Sequence, residues 1–409
     1  MNRVKLGELL RIKHGYAFKS ENYVTSSPYA LVTLANISSS NSFRFDQEKT
    51  TFYGASFPEE FILHTDDLIM PLTEQVIGLF GNSAFIPSMK EIRFVLNQRV
   101  GKVIPNEGKA DKYYLHYLLS TEIVREQLEH RASGTKQRNI SPDDVYDVTV
   151  VVPELNVQQK IGKALYCLEA KVNVNNAIND NLQQQLKLMY DYWFNQFDFP
   201  NEDGKPYRAS GGAMEWSPDL QREIPAGWSC VPLEDILQRN SEAFDFSSIE
   251  PTVDLSIMPS GSIALDQVNR SDKFSTNLFR MNEGDILFGS IRPYLKKAGI
   301  APCNGVVAGT IHSFRVKRES DYNFALFTLC GKAFFDYAVR VSTGTKMPIV
   351  SLDSIMSYKV PYSESIVRRF NRIDVRHIIC SNVQETQKLA SFRDWLLPML
   401  MNGQATISD

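Results

Sequence analysis

Ser133-Gly134-Thr135-Lys136, with Ile140-Ser141 four residues on, returns in the second half of the chain as Thr343-Gly344-Thr345-Lys346 with Val350-Ser351. The likeness spreads outward from this turn with its order kept. Upstream, Leu6-Gly7-Glu8-Leu9-Leu10 pairs with Leu233-Glu234-Asp235-Ile236-Leu237, and Asp66-Asp67-Leu68-Ile69-Met70 pairs with Gly284-Asp285-Ile286-Leu287-Phe288. Downstream, Pro153 pairs with Pro361 and Trp193 with Trp395. The separation between partners falls steadily from 227 residues to 202, as a duplication with a shorter second copy requires, whereas chance matches would scatter.

Each copy has two parts. The first mixes short β-type runs with turn punctuation, among them 67–71, 99–105, 148–153 and 285–288, and a helical stretch precedes each Gly-Thr-Lys turn at 112–131 and 322–341. This predicts α/β globules. The second part predicts one long helix per copy. Across 157–196 there is no proline and a single glycine, Gly162; Ile161, Leu165, Leu168, Val172, Leu182, Leu186, Met189 and Trp193 fall at heptad spacing, with Asn175 and Asn179 in the two seam positions between them. Over 363–401 the pattern recurs with Ile366, Phe370, Ile373, Val383, Leu389, Phe392, Leu396 and Leu400, although its phase wanders at 377–381. Neither helix can bury such a stripe alone. The expected solution is an antiparallel coiled coil of two helices, each roughly 60 Å long at about 1.5 Å per residue, that relates the halves by a pseudo-two-fold axis. The asparagines would then fix its register at some cost in stability. The alternative lays each amphipathic helix on its own globule. Residues 199–206 and 209–212 have loop composition and connect the copies.

Composition bounds the function. A chain of 409 residues predicts two to three domains at about 150 residues each. With 43% hydrophobic and 22% charged residues it is ordinary globular material, which excludes disorder and collagen-like folds. No apolar run approaches about 18 residues and the first eleven residues alternate charged with apolar, so a soluble, cytoplasmic protein is expected. Five widely spaced cysteines without a C-x-x-C suggest neither disulfides nor structural zinc. A net charge of -3 argues against holding nucleic acid by bulk electrostatics. Local basic clusters at 130–138, 292–297 and 315–318 contrast with acid at Glu59, Glu60, Asp66 and Asp67.

The tools of a DNA-modifying enzyme are missing. There is no G-x-x-x-x-G-K-[ST], no Asn-Pro-Pro-Tyr or Asp-Pro-Pro-Tyr, and no H-E-x-x-H among the six histidines. What remains is chemistry suited to reading. In Gly134-Thr135-Lys136-Gln137-Arg138-Asn139, glycine allows close backbone approach and Thr135 and Lys136 can donate to phosphate. Gln137, Arg138 and Asn139 carry donor and acceptor sets that match purine edges. Gly344, Thr345 and Lys346 repeat the anchor, and the two copies diverge immediately afterwards. A second loop, 289–297, offers Arg292 for bidentate reading of guanine, Tyr294 alongside it, and Lys296 or Lys297 for phosphate; in the first copy Gln75 is the corresponding adenine-type reader.

These features resemble the specificity subunits of type I restriction-modification systems over essentially the whole chain. The resemblance rests on the duplicated plan, the paired Gly-Thr-Lys turns, Gly284-Asp285-Ile286-Leu287-Phe288, and two central segments. The latter are Tyr190-Asp191-Tyr192-Trp193-Phe194-Asn195-Gln196-Phe197-Asp198-Phe199-Pro200, and Gly204-Lys205-Pro206-Tyr207 through Arg222-Glu223-Ile224-Pro225-Ala226-Gly227-Trp228. The resemblance implies target recognition domains at 1–153 and 228–361, a central helix at 154–199, a connector at 200–227 and a C-terminal helix at 362–409. It implies a non-catalytic reader of double-stranded DNA whose two domains each take half of a bipartite, asymmetric site. The coiled coil would set the spacer and dock two methyltransferase subunits, and two translocating nuclease subunits would complete the restriction complex, without any membrane partner. No cofactor is expected on this chain; S-adenosylmethionine, ATP and magnesium belong to the partner subunits. Copy one departs from the family pattern at Asp67-Leu68-Ile69-Met70-Pro71, so the loop that follows is expected to differ from its counterpart in copy two. The competing reading is a coiled-coil scaffold or regulatory interaction protein that does not read DNA.

Overall fold

Leu68–Pro71 and Ile286–Gly289 are short, fully apolar runs, and each is the buried interior strand of a four-stranded antiparallel sheet. In a computed structural model that describes residues 2–38, 40–75 and 77–407, the strand order in the first copy is Leu10–His14, Val100–Pro105, Leu68–Pro71, Ala84–Phe85. In the second it is Leu237–Asn240, Ile311–Val316, Ile286–Gly289, Ala298–Ile300. A second sheet in each copy contains one parallel pair, Tyr29–Val32 with Arg93–Leu96 and Pro251–Val253 with Gly305–Ala308. Its edge strands differ between the copies. Each globule also ties its own ends together, pairing Asn2–Lys5 with Thr149–Val152 and Ser229–Pro232 with Lys359–Tyr362.

The chain divides into two units, residues 1–169 with 391–409 and residues 170–390. In the first unit the helices Lys112–Leu119 and Glu122–Arg131 pack on the sheet around Tyr114, Leu115, Val124 and Leu128, all buried. In the second, Tyr322–Leu329 and Lys332–Val341 do the same with Phe324, Leu326, Phe334 and Phe335. The burial pattern is therefore repeated, with larger aromatic side chains in the second core.

The first long helix is Leu155–Tyr190, followed by one wide π-helical turn, Asp191–Asn195. Its predicted seam faces inward. Ile161, Leu165 and Leu186 are buried, and Leu168, Val172, Leu182, Met189 and Trp193 are half-buried. Within the first unit, Ile161 and Leu165 share a core with Leu396, Leu400 and Met401 of the C-terminal helix. Within the second unit the seam includes a polar stretch. Asn175 Nδ2 donates to Glu385 Oε2 (2.7 Å), Asn382 Nδ2 donates to Asn179 Oδ1 (2.8 Å), and Lys171 pairs with Glu385 at 3.1 Å. Rising numbers on one helix meet falling numbers on the other, so the helices run antiparallel.

The expectation of one helix over 363–401 needs correction. Two helices stand there, Glu364–Phe370 and Val375–Met401. Ile366 and Phe370 are buried on the short one, Val383 and Leu400 are buried and Leu389 and Leu396 half-buried on the long one, and two residues assigned to the seam are exposed, Ile373 in the break and Phe392 on the long helix. The cause is side-chain competition for the backbone. Asn371 accepts from Asn323 N–H (2.9 Å), and Asn323 Nδ2 donates to the freed carbonyls of Phe370 (3.3 Å) and Ile373 (2.9 Å). Asp374 Oδ1 then accepts from His377 N–H (3.0 Å) and starts the next helix.

The connector is more ordered than its composition suggests. Met214–Ser217 and Arg222–Pro225 form a hairpin, and Phe199 stacks between Tyr207 (4.7 Å) and Trp228 (5.2 Å). Phe197, Phe199, Ile224 and Trp228 belong to the second unit's core. No helix among the described residues is long and apolar enough to cross a membrane.

Candidate nucleic-acid interface

Both Gly-Thr-Lys segments are the tips of tight hairpins that follow a helix. In the first unit Ser133 and Asn139 exchange both backbone hydrogen bonds (3.0 and 2.8 Å), and in the second Thr343 and Ile349 do so (2.9 and 2.8 Å). Five residues must reverse the chain, and the glycine makes that reversal possible. Gly134 has φ +110°, and a Cβ there would lie 2.1 Å from the carbonyl oxygen of Gln137; Gly344 has φ +103° and a Cβ would lie 3.0 Å from that of Met347. Thr135, Lys136, Thr345 and Lys346 are exposed at the tips.

The returning leg of each hairpin pairs with the chain that leaves the central sheet strand. Arg138–Asn139 lies antiparallel to Thr73–Glu74, and Ile140 N–H donates to Leu72 C=O at 3.0 Å. In the second unit Ile349 bridges Ile291, Val350 N–H donates to Ser290 C=O (3.0 Å) and Arg292 N–H donates to Pro348 C=O (2.7 Å). The two sets of residues singled out from each copy, 59 positions apart in the first and 52 in the second, thus form one platform per unit: Gln75 beside 134–139, and Arg292 beside 344–346.

The same backbone carries different side chains. In the first unit Glu74, only 1% exposed, faces Arg138 across the strand pair. Its Oε1 accepts from Arg138 Nε at 2.7 Å and from Nη2, while Oε2 accepts from the N–H groups of Leu79 (2.9 Å) and Phe80 (3.2 Å). The guanidinium lies over the Phe80 ring, 5.6 Å from its centroid. Asn139 Oδ1 accepts from Thr73 Oγ1 (2.9 Å) and Gln137 Nε2 (3.4 Å), which leaves its amino group for an outside acceptor. Gln75 is exposed.

In the second unit the positions of Glu74 and Arg138 are taken by Arg292 and Pro348. Arg292 (φ +51°) and Lys296 (φ +52°) both hold the left-handed backbone conformation that favours glycine, at a cost of about 1 kcal/mol or more each. The surroundings hold them there. Gly261 N–H donates to Lys296 C=O (3.0 Å), and Gln183 of the first long helix clamps the same loop, donating to Gly261 C=O (2.6 Å) and accepting from Ile263 N–H (2.9 Å). Arg292, Tyr294 and Lys296 are exposed. Lys297 is not on this surface: it is half-buried, and its Nζ donates to Leu255 C=O. Glu74 went unremarked in the sequence, although an acid opposite Arg138 on a paired strand is the signal that would have found it.

A second polar cluster lies in the first unit's core. Ser83 Oγ sits 2.8 Å from His116 Nδ1, His116 Nε2 sits 3.3 Å from Glu169 Oε2, and Tyr117 donates to the same oxygen at 2.7 Å. The order Ser-His-Glu resembles a hydrolase triad, but Ser83 and His116 are fully buried and no scissile bond can reach them. Burial pushes the Glu169 carboxyl up, yet the hydrogen bonds from His116 and Tyr117 outweigh it and hold the group below its ordinary value. This is structural wiring between a sheet, a helix and the first long helix. No cluster of metal-ligating side chains occurs among the described residues.

Residues 1–184 match the family described as the type I restriction modification DNA specificity domain. The chain is 22% identical over 329 residues to the type I restriction enzyme MjaIX specificity subunit of Methanocaldococcus jannaschii, covering 76% of this chain and 73% of that one. It is likewise 22% identical over 315 residues to the EcoDI specificity subunit of Escherichia coli, covering 72% and 69%. Its fold is similar to the crystal structure of a type I restriction-modification system S subunit from M. genitalium, with a TM-score of 0.59 at 15% identity over 98% of this chain and 95% of that one. Residues 1–184 thus match the type I restriction modification DNA specificity domain, and the chain over most of its length is similar to type I restriction enzyme specificity subunits.

Proposed function

We propose that each unit of this chain reads one half of a bipartite, asymmetric DNA site. The helices set the unread spacer and dock two methyltransferase subunits, and two translocating nuclease subunits complete the assembly. The observation that carries this reading is the pair of platforms, equal in backbone hydrogen bonding and unequal in side chains. Shared Thr-Lys tips suit phosphate, which carries no sequence information, while the differing residues beneath suit bases, which do. Gly134, Thr135, Lys136, Gln137, Arg138, Asn139 and Gln75 form the contact set of the first half-site, and Arg292, Tyr294, Lys296, Gly344, Thr345 and Lys346 that of the second. Lys297 supports its loop instead. In this reading the chain is non-catalytic: methyl transfer from S-adenosylmethionine and ATP-driven cleavage with magnesium belong to the partner subunits.

A net charge of -3 fits a subunit whose grip on DNA is shared with other chains. The test is to reconstitute the chain with its methyltransferase subunits and map the methylated motif. A two-part motif with a fixed gap is expected. Lys136→Ala and Lys346→Ala should each weaken DNA binding about equally for all sequences and flatten its salt dependence by about one phosphate contact. Unchanged affinity in both variants would favour a scaffold that does not read DNA.

A further inference from the structure

We propose that Arg138, held by the buried carboxylate of Glu74, is the principal base-reading side chain of the first unit, and that Glu74 is its positioning residue. This inference rests on the reading of the platform as a DNA interface. Three features distinguish Arg138 from an ordinary surface arginine. One hydrogen each of Nε and Nη2 is spent on Glu74, the ring of Phe80 lies against its plane, and its side chain keeps 22% of its surface, so the donors left to it are the two of Nη1 and the second of Nη2. Glu74 cannot swing away, because its other oxygen is held by two backbone N–H groups. The cation therefore reaches a ligand with its orientation already set, and loses less side-chain freedom on binding than a free arginine.

What such a group recognises follows from its chemistry. A fixed guanidinium edge is a fork of donors, which fits the adjacent O6 and N7 acceptors of guanine in the major groove, and is repelled by the exocyclic amino donors of adenine and cytosine. The second unit solves the same problem from the opposite leg. Arg292 occupies the position of Glu74, has no acid opposite it, and is placed by its backbone conformation rather than by a buried partner.

The test uses the reconstituted methyltransferase complex with Arg138→Lys and Glu74→Gln. Arg138→Lys keeps the positive charge that Glu74 requires but removes the fork; Glu74→Gln keeps the shape and weakens the hold. Methylation is read by sequencing, and folding by thermal unfolding. Arg138→Lys is expected to lower discrimination roughly ten- to a hundredfold at one guanine position of one half-site, with the other half unchanged. Glu74→Gln should lower it at that same position by a smaller factor. The inference is overturned if both variants keep the wild-type motif at full discrimination, or if they change only the unfolding temperature, as a purely structural ion pair would. A wild-type complex that methylates no two-part motif would instead overturn the proposed function itself.

Discussion

The two platforms share a hairpin, a glycine and a register of backbone hydrogen bonds, yet they place their charge by opposite means. The first has an acid and an arginine facing each other, with the acid buried and the cation braced. The second has an arginine and a proline at the same two positions, with the cation exposed on a strained turn. The duplicated copies keep the backbone pattern and differ in the side chains that it carries.

Removing the cation from each platform should show the contrast most strongly. Arg138→Met leaves the Glu74 carboxylate buried without its ion partner and is expected to cost about 3 kcal/mol in denaturant unfolding. Arg292→Met exposes no such group and should stay within about 0.5 kcal/mol of the parent. Equal losses would mean the two cations are held alike. The glycines give a smaller, graded version of the same comparison. Gly134→Ala meets the Gln137 carbonyl and should cost about 2 kcal/mol, against about 1 kcal/mol for Gly344→Ala, which has 0.9 Å more room.

The repeat, the globule-plus-helix plan and the seam on the first long helix were all legible in the sequence, because each depends on spacing alone. Sheet order was not, since strands such as Leu10–His14 and Val100–Pro105 meet only through the tertiary fold. The break at 371–374 was written in Asn371 and Asp374, but a heptad count passes over a residue whose side chain captures backbone groups. The structure brings most of the residues singled out on each copy into one neighbourhood. Their commitments were invisible: Lys297 is taken by a carbonyl and Arg138 by Glu74, and neither partner lies near in sequence.

The helices repeat the contrast on a smaller scale. Their packing is apolar in the first unit, whereas in the second it includes a polar stretch, where Asn175 Oδ1, Asn179 Nδ2 and Thr386 Oγ1 lack a protein partner among the described residues. Asn179→Leu should therefore raise stability by about 1 kcal/mol while loosening the register, measured by unfolding together with cysteine cross-linking across the pair. Lower stability with a single cross-link register would show that the asparagine contributes packing rather than register.

Acid should separate the units last and least. Burial holds His312 of the second unit at about 4, below its ordinary 6.5, so the unfolded chain takes up that proton first and stability falls as pH drops from 6.5 towards 4. Glu169 of the first unit is held below its ordinary 4.5, so its contribution is present above that value and is lost only as pH falls through the lowered one. Unfolding followed against pH should show the second unit weakening first, and His312→Gln should flatten that slope; an unchanged slope would place the acid sensitivity elsewhere.

The most direct test of the central claim is the methylated motif of the reconstituted complex, mapped for the parent, for Arg138→Lys and for Arg292→Lys. Two independent readers predict that Arg138→Lys alters one half-site only and Arg292→Lys the other only, with the gap between them constant. A change in both halves from either substitution, or in neither from both, would contradict the account.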